Sequence, residues 1–364
     1  MAGGKDRRIL VTGGAGFIGS NLVERLLKDP AAEVCVFDDL SRGGVAHNVA
    51  WLQSLPGSDR LEVRRGDVRD TSAVDEAARK ATEIYHLAAQ VAVTTSVDRP
   101  RDDFSVNTLG TFNVLEAARR SGRKPFLLFT STNKVYGSLH GVPVRVEGTH
   151  YAAARTDFEG VREDEQLDFH SPYGCSKGAA DQYVRDYARI YHLPTVVFRM
   201  SCIAGPRQFG NEDQGWVAHF LYSVLEGAPI TVYGDGLQVR DVLHVTDLVD
   251  AISAAHLHRK ITAGQIYNLG GGLKQSISVQ EMLSAIERET GRKPKLRYSA
   301  VRPGDQPLYI SDTGKLSADT GWTPKHSLTQ TLQSILSFYR ENGRILRAER
   351  APAQAAELVG EEVA

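Results

Sequence analysis

Apolar residues fall in short, largely β-branched runs along the first two hundred positions, and amphipathic stretches separate several of them. The runs at 8–12, 33–37, 61–64, 83–86, 125–130 and 195–199 predict strands. Helical spacing at 17–27, 101–121 and 172–191 predicts the segments that cover them. A strand apolar on both faces must be covered on both, which calls for a parallel sheet between helices. Right-handed crossovers then give an α/β, doubly wound sheet.

Beyond residue 199 the alternation loosens. Joints containing glycine or proline appear at Gly205 and Pro206, between Gly234 and Gly236, at Gly270 to Gly272, and from Arg302 to Gly304. The pattern predicts a first domain from 7–201 and 239–270, interleaved with a smaller substrate lobe from 202–238 and 271–343. Residues 344–364, rich in Ala and Glu, read as a mobile tail.

Composition narrows the classes. Net charge is −1, so no basic surplus argues for nucleic acid or an anionic membrane as partner. No stretch reaches the ~20 apolar residues of a membrane span, and the first eight residues lack the core of a signal peptide. Three separated cysteines without metal-ligand spacing read as reduced thiols, which favours the cytoplasm. The eleven histidines form no metal-binding pattern.

Chemistry enters at the end of the first strand, where Thr12-Gly-Gly-Ala-Gly-Phe-Ile-Gly19 opens a helix. Glycines there permit a tight turn and a close approach of backbone to a diphosphate, which rests on the helix's N-terminal amides. Asp38, ending the second strand, is placed to bind an adenosine ribose, and its charge disfavours a 2′-phosphate; NAD is expected rather than NADP. Asp67 follows the third strand as a candidate adenine contact. Further on, strand 125–130 runs into Ser131-Thr132, and Tyr173 and Lys177 sit four apart at the start of a helix, on one face. A tyrosine is a poor base at neutral pH unless a cation stabilises its phenolate; a lysine one turn away does so.

Together these motifs resemble the extended short-chain dehydrogenase/reductase family, in its branch of NAD-dependent epimerases and dehydratases acting on nucleotide sugars. The likeness covers roughly residues 8–340 and implies a Rossmann-type fold. It also implies a catalytic set of Thr132, Tyr173 and Lys177. Implied NAD contacts are Gly13, Gly16, Phe17, Ile18 and Gly19 in the loop, and Asp38, Asp39 and Ser41 beside the ribose. Asp67 and Val68 would flank the adenine. Leu87, Ala88, Ala89 and Asn107 would line the middle, with Tyr173 and Lys177 at the nicotinamide.

Dehydratases of this branch carry Asp-Glu directly after the threonine; here those positions are Asn133 and Lys134, which cannot supply the acid and base of an elimination. Segments 131–137, 168–183 and 201–216 resemble more narrowly the 2-epimerases of CDP-linked sugars. The expected reaction is inversion at carbon 2 of a CDP-hexose or CDP-deoxyhexose through a 2-keto intermediate. A 4-epimerase or reductase on the same scaffold is the alternative, and a non-catalytic NAD-binding regulator a remoter one. Implied substrate contacts are Thr132, Asn133 and Lys134, then Cys202, Arg207, Gln208 and Trp216, and finally Arg240, Arg302 and Asp305, with the arginines on the diphosphate. Ala204 departs from the pattern, which has a tyrosine there; a missing phenol would enlarge the sugar pocket or remove a hydrogen bond. The resemblance also implies a homodimer, or a higher homo-oligomer, formed through the helices at 101–121 and 172–191, whose outer faces carry Tyr183, Tyr187 and Tyr191.

Overall fold

The computed structural model describes residues 7–302 and 304–360, with side chains as far as Arg350 apart from that gap. Seven strands form one parallel sheet: β1 (Arg7–Thr12), β2 (Ala32–Asp38), β3 (Leu61–Arg65), β4 (Glu83–His86), β5 (Phe126–Thr132), β6 (Thr195–Met200) and β7 (Ile266–Leu269). Their order is β7-β6-β5-β4-β1-β2-β3. Side chains alternate between two covered faces, as the continuous apolar runs require. Ile9 and Val11 pack with Val34, Val36 and Leu128 on one face. Leu10 goes to the other, with Ile84, Leu127 and Phe129. Helices α1 (Phe17–Leu27) and Val245–Leu257 cover the first face; Gly110–Arg120 and Ser171–Tyr191 cover the second.

The strand order reverses between β1 and β4, so the loops after those strands diverge and leave a crevice at the sheet's carboxyl edge. Every predicted strand is present to within two residues. The helix expected over 101–121 is not uniform: a π-helical turn at Ser105–Leu109 separates Pro100–Phe104 from Gly110–Arg120. The Thr111 hydroxyl, just after that turn, donates back to the Asn107 carbonyl within it at 2.6 Å.

Two groupings expected from sequence are corrected. Strand Val239–His244, assigned to the first domain, pairs instead with Cys202–Ala204, Ser276–Ser278 and Leu308–Tyr309 in a separate four-stranded sheet. The final segment is not a tail from residue 344, because one helix runs from Leu328 to Gly360. Leu346 is fully buried and Arg350 nearly so, which fixes this stretch against the smaller sheet's core. Side chains after Arg350 lie outside the described residues, as do residues 361–364.

Candidate active site

The crevice holds two clefts that meet at Tyr173. The first, about 450 Å³, runs along the carboxyl ends of β1, β2 and β4. Gly13 stands at φ +70, and a Cβ on it would lie 2.6 Å from the Ala88 amide nitrogen, so the loops after β1 and β4 touch through backbone alone. Gly19 is as tightly held: its Cβ would come 2.2 Å from the Gly13 carbonyl oxygen. That contact seats α1 with its N-terminus at the cleft. No side chain caps α1 at Gly16, so the first-turn amides keep hydrogen-bonding capacity for an anion.

At the far end Asp38 accepts from the amides of Ala15 and Leu40, each at 3.0 Å. Burial pushes its carboxyl up while those amides pull it down. Phe17, Ile18, Asp39, Ser41, Val68, Leu87, Ala88 and Ala89 line the cleft. Asp67 lines it too, but its carboxylate is gripped by Arg69, whose Nη2 donates at 2.6 Å. Asn107 does not reach the cleft. It accepts from the Gln90 amide at 3.0 Å, donates to the Gln90 carbonyl and to Asp103, and so shapes the loop that forms the cleft floor.

At the near end Pro172 starts the helix Ser171–Tyr191, and the Ser96 hydroxyl accepts from the Tyr173 amide at 3.1 Å. Tyr173 and Lys177 line the first cleft from this helix. Lys177 Nζ donates to the Thr130 carbonyl at 2.6 Å and lies 4.1 Å from the Phe129 ring centroid. Burial lowers the lysine to about 7, opposed by the carboxylates of Asp181 and Asp103. Burial likewise pushes the Tyr173 phenol up to about 12, while a hydrogen bond with Thr132 pulls it down. The Asp103 carboxylate raises both groups, and the Arg42 guanidinium pulls the phenol down. An arrangement of this kind can take a proton from a hydroxyl placed against Tyr173.

The second cleft, about 600 Å³, lies between that end and the smaller sheet. Thr132, Asn133 and Lys134 form its inner wall, with Trp216, Arg240, Arg302 and Asp305 across from them. Arg240 Nη2 donates to Asp305 at 2.6 Å. Lys134 Nζ donates to the Gly304 carbonyl at 3.1 Å, and its ammonium is lowered to about 8, by burial and by Arg240. Arg302 stacks on Tyr233, 3.7 Å from the ring centroid. Three cationic side chains, Lys134, Arg240 and Arg302, thus line this cleft, a setting for a diphosphate.

Three expected contacts do not line this cleft. Cys202 accepts from the Trp216 indole at 3.0 Å and orients it from behind. Gln208 is buried and donates to the Ile203 carbonyl at 3.2 Å. Arg207 turns away with φ +68 and lies over the Trp51 ring. Ala204 does not line the cleft either; it is fully buried in the core of the smaller sheet.

Sequence reasoning missed Asp213 and Gln214, which line both clefts, although they stand in the segment that carried the narrower resemblance. It also missed buried Asp103, which accepts from Ser176, Asn107 and Gln90 beneath the Tyr–Lys pair.

A family model described as GDP-mannose 4,6 dehydratase matches residues 10–335. The chain belongs to the NAD-dependent epimerase/dehydratase family. Among family members it is 40% identical over 338 residues to a CDP-paratose 2-epimerase from Salmonella typhi, covering 91% of this chain and 98% of that one. The structure of a UDP-glucose 4-epimerase from Thermus thermophilus, in complex with NAD, superposes with a TM-score of 0.76 at 34% identity, covering 92% and 99% of the two chains. A dTDP-glucose 4,6-dehydratase from Streptomyces venezuelae, also with NAD bound, gives 0.79 at 31%, covering 92% and 97%. The family thus includes both epimerases and dehydratases. Among the described residues no group of His, Cys, Asp and Glu is arranged to hold a metal, and no helix is long and apolar enough to cross a membrane.

Proposed function

We propose that this protein is an NAD-dependent epimerase that inverts carbon 2 of a CDP-linked hexose or deoxyhexose by transient oxidation to the 2-keto sugar. The observation that carries this reading is Tyr173 at the junction of the two clefts, with Asn133 and Lys134 in the wall beside it. NAD in the first cleft would accept hydride from carbon 2 and later return it. Tyr173 takes the proton of the 2-hydroxyl, and Lys177 beneath it holds the phenolate charge. Thr132 hydrogen-bonds the reacting oxygen. Lys134, Arg240 and Arg302 hold the diphosphate, with Asp305 fixing the first two. The ketone presents its other face to the returning hydride, which needs a wide sugar site; the second cleft is the larger of the two.

The reading includes a cytoplasmic homodimer. Phe112 (37% exposed) and Tyr183 (47%) meet edge to face on the outer side of Gly110–Arg120 and Ser171–Tyr191, with Leu109, Ile190 and Tyr191 also exposed there. These apolar side chains form a face for a second copy. Tyr187, expected on that face, is buried and donates to Glu116.

The test is substrate deuterated at carbon 2. Product inverted at carbon 2 with the label retained there is expected. Label lost to water would refute hydride transfer, and inversion at carbon 4 would make this a 4-epimerase.

A further inference from the structure

The first cleft is bounded on its open side by two lips. One is the loop after β2, where Ser41, Arg42 and Val45 line the cleft; the other is the loop around Asn211, Asp213 and Gln214. The lips touch across the opening, where Arg42 donates to the Gln214 side-chain carbonyl and the Phe209 ring lies against Gly44. An exposed side-chain bond of this kind is weak alone, worth about 1 kcal/mol or less.

Behind the lips stands the final helix, and two consecutive residues of it hold one lip each. Glu349 accepts from the Gly44 amide at 3.0 Å and pairs with His47 Nε2 at 3.2 Å. Arg350 donates to the Gly210 carbonyl at 2.8 Å. The same guanidinium reaches Ser223 at 3.0 Å and Glu226 at 3.3 Å, on the helix Trp216–Glu226. Burial and Arg350 itself lower His219 to about 4, so its ring is neutral and accepts from that guanidinium. Leu346, one turn earlier, is fully buried and anchors the helix.

We infer that Glu349 and Arg350 are positioning residues that brace both lips of the dinucleotide cleft and thereby set how slowly the cofactor leaves. The inference rests on the reading that the first cleft holds NAD. The lips can part only if one breaks from the helix, because adjacent residues on one rigid element fix their separation. An enzyme that returns its hydride in every turnover gains nothing from releasing NAD, and a brace across the lips opposes release.

The experiment uses full-length protein purified with its bound dinucleotide, diluted into a trap that destroys free NAD, with bound NAD followed over time. Glu349→Ala, whose side chain is partly exposed, should speed release about ten-fold, the scale of one or two hydrogen bonds to a charged group. Its melting temperature without NAD should stay near wild type. Turnover at saturating added NAD should be unchanged, while the NAD concentration for half-maximal turnover rises. Arg350→Met should release faster still, and Arg347→Ala, on the same helix but outside the brace, should behave as wild type. Amide hydrogen exchange at 208–215 and 41–47 should rise in Glu349→Ala. Release from Glu349→Ala at the wild-type rate, or equal acceleration in Arg347→Ala, overturns the brace. Wild-type protein that neither carries nor binds NAD would overturn the cofactor reading, and the brace with it.

Discussion

Replacing Tyr173 with phenylalanine isolates proton transfer, because the ring is buried and stays while only the hydroxyl leaves. The hydroxyl contributes one hydrogen bond, with Thr132, worth about 1 kcal/mol, so the melting temperature should fall by only about 1–2 °C. The effect on rate is larger. Burial pushes the phenol up to about 12. Holding it as phenolate near pH 8 requires roughly four pH units of stabilisation, about 5 kcal/mol. Arg42, which pulls the phenol down, would share that work with Lys177, on the same helix as Tyr173, and the positive nicotinamide of bound NAD. A positioned base is worth about 10²–10⁴-fold, or about 3–5 kcal/mol of barrier. Turnover of Tyr173→Phe, followed by NMR of the sugar, should therefore drop at least about 10²-fold with NAD content unchanged. The sign with pH follows from the same numbers: the base is active when deprotonated, so wild-type rate should rise with pH and level off. In Lys177→Met the levelling should move to higher pH. Tyr173→Phe within ten-fold of wild type, still folded and NAD-loaded, would refute the assignment.

Other outcomes follow from the same geometry. Arg240→Ala should raise KM for the nucleotide sugar about ten-fold or more while changing kcat little, since it removes a cation from the diphosphate wall and leaves the reacting end intact; steady-state kinetics checks it. His86 is buried between the hydroxyls of Thr12 and Thr111, and burial lowers it to about 3. The folded state then binds fewer protons than the unfolded one below the ordinary histidine value. Stability is full above about pH 6.5 and is lost as pH falls toward 3, at about 1.4 kcal/mol per unit. Urea midpoints measured from pH 7 to 5 should fall more steeply in wild type than in His86→Gln.

The main sheet was legible because its strands are apolar on both faces, a pattern little else produces, and because the glycine loop needs a strand on one side and a helix on the other. What stayed hidden depended on contacts distant in sequence. The strand Val239–His244 reads like any other strand, and only its partners assign it to the smaller sheet. The π-turn at Ser105–Leu109 leaves no mark in the hydrophobic spacing, because its buried polar residues are satisfied by neighbours from other elements, such as Ser176. The final helix read as a tail because its Ala- and Glu-rich end dilutes the apolar stripe. Leu346 nevertheless finds a core, and Arg350 finds polar partners in Gly210, His219, Ser223 and Glu226.

The site shows the same division. Residues that act through backbone geometry or at helical spacing, such as Gly13 and the Tyr173–Lys177 pair, could be read directly from sequence. Contacts carried over by resemblance alone fared unevenly: Lys134, Arg240 and Arg302 line the cleft, whereas Cys202, Gln208 and Arg207 stand behind it or turn away. The matching family model carries a dehydratase's name, and the scaffold alone would permit that chemistry. Elimination of water, however, needs a proton donor at the leaving hydroxyl and a base for a carbon-bound proton. The residues after Thr132 are an amide and a cation. Asn133 donates to Gln306 at 3.0 Å, and Lys134 donates to the Gly304 carbonyl with Asp305 close by. Neither is a carboxylate, and Asp305 is paired with Arg240 as well. Arg240 and Lys134 hold its carboxyl below the usual range against the opposing effect of burial, so it is a poor proton donor. Under the proposed reading, NAD would take and return the hydride, Tyr173 would relay the proton, and the ketone would turn in the second cleft, none of which asks for a carboxylate after Thr132.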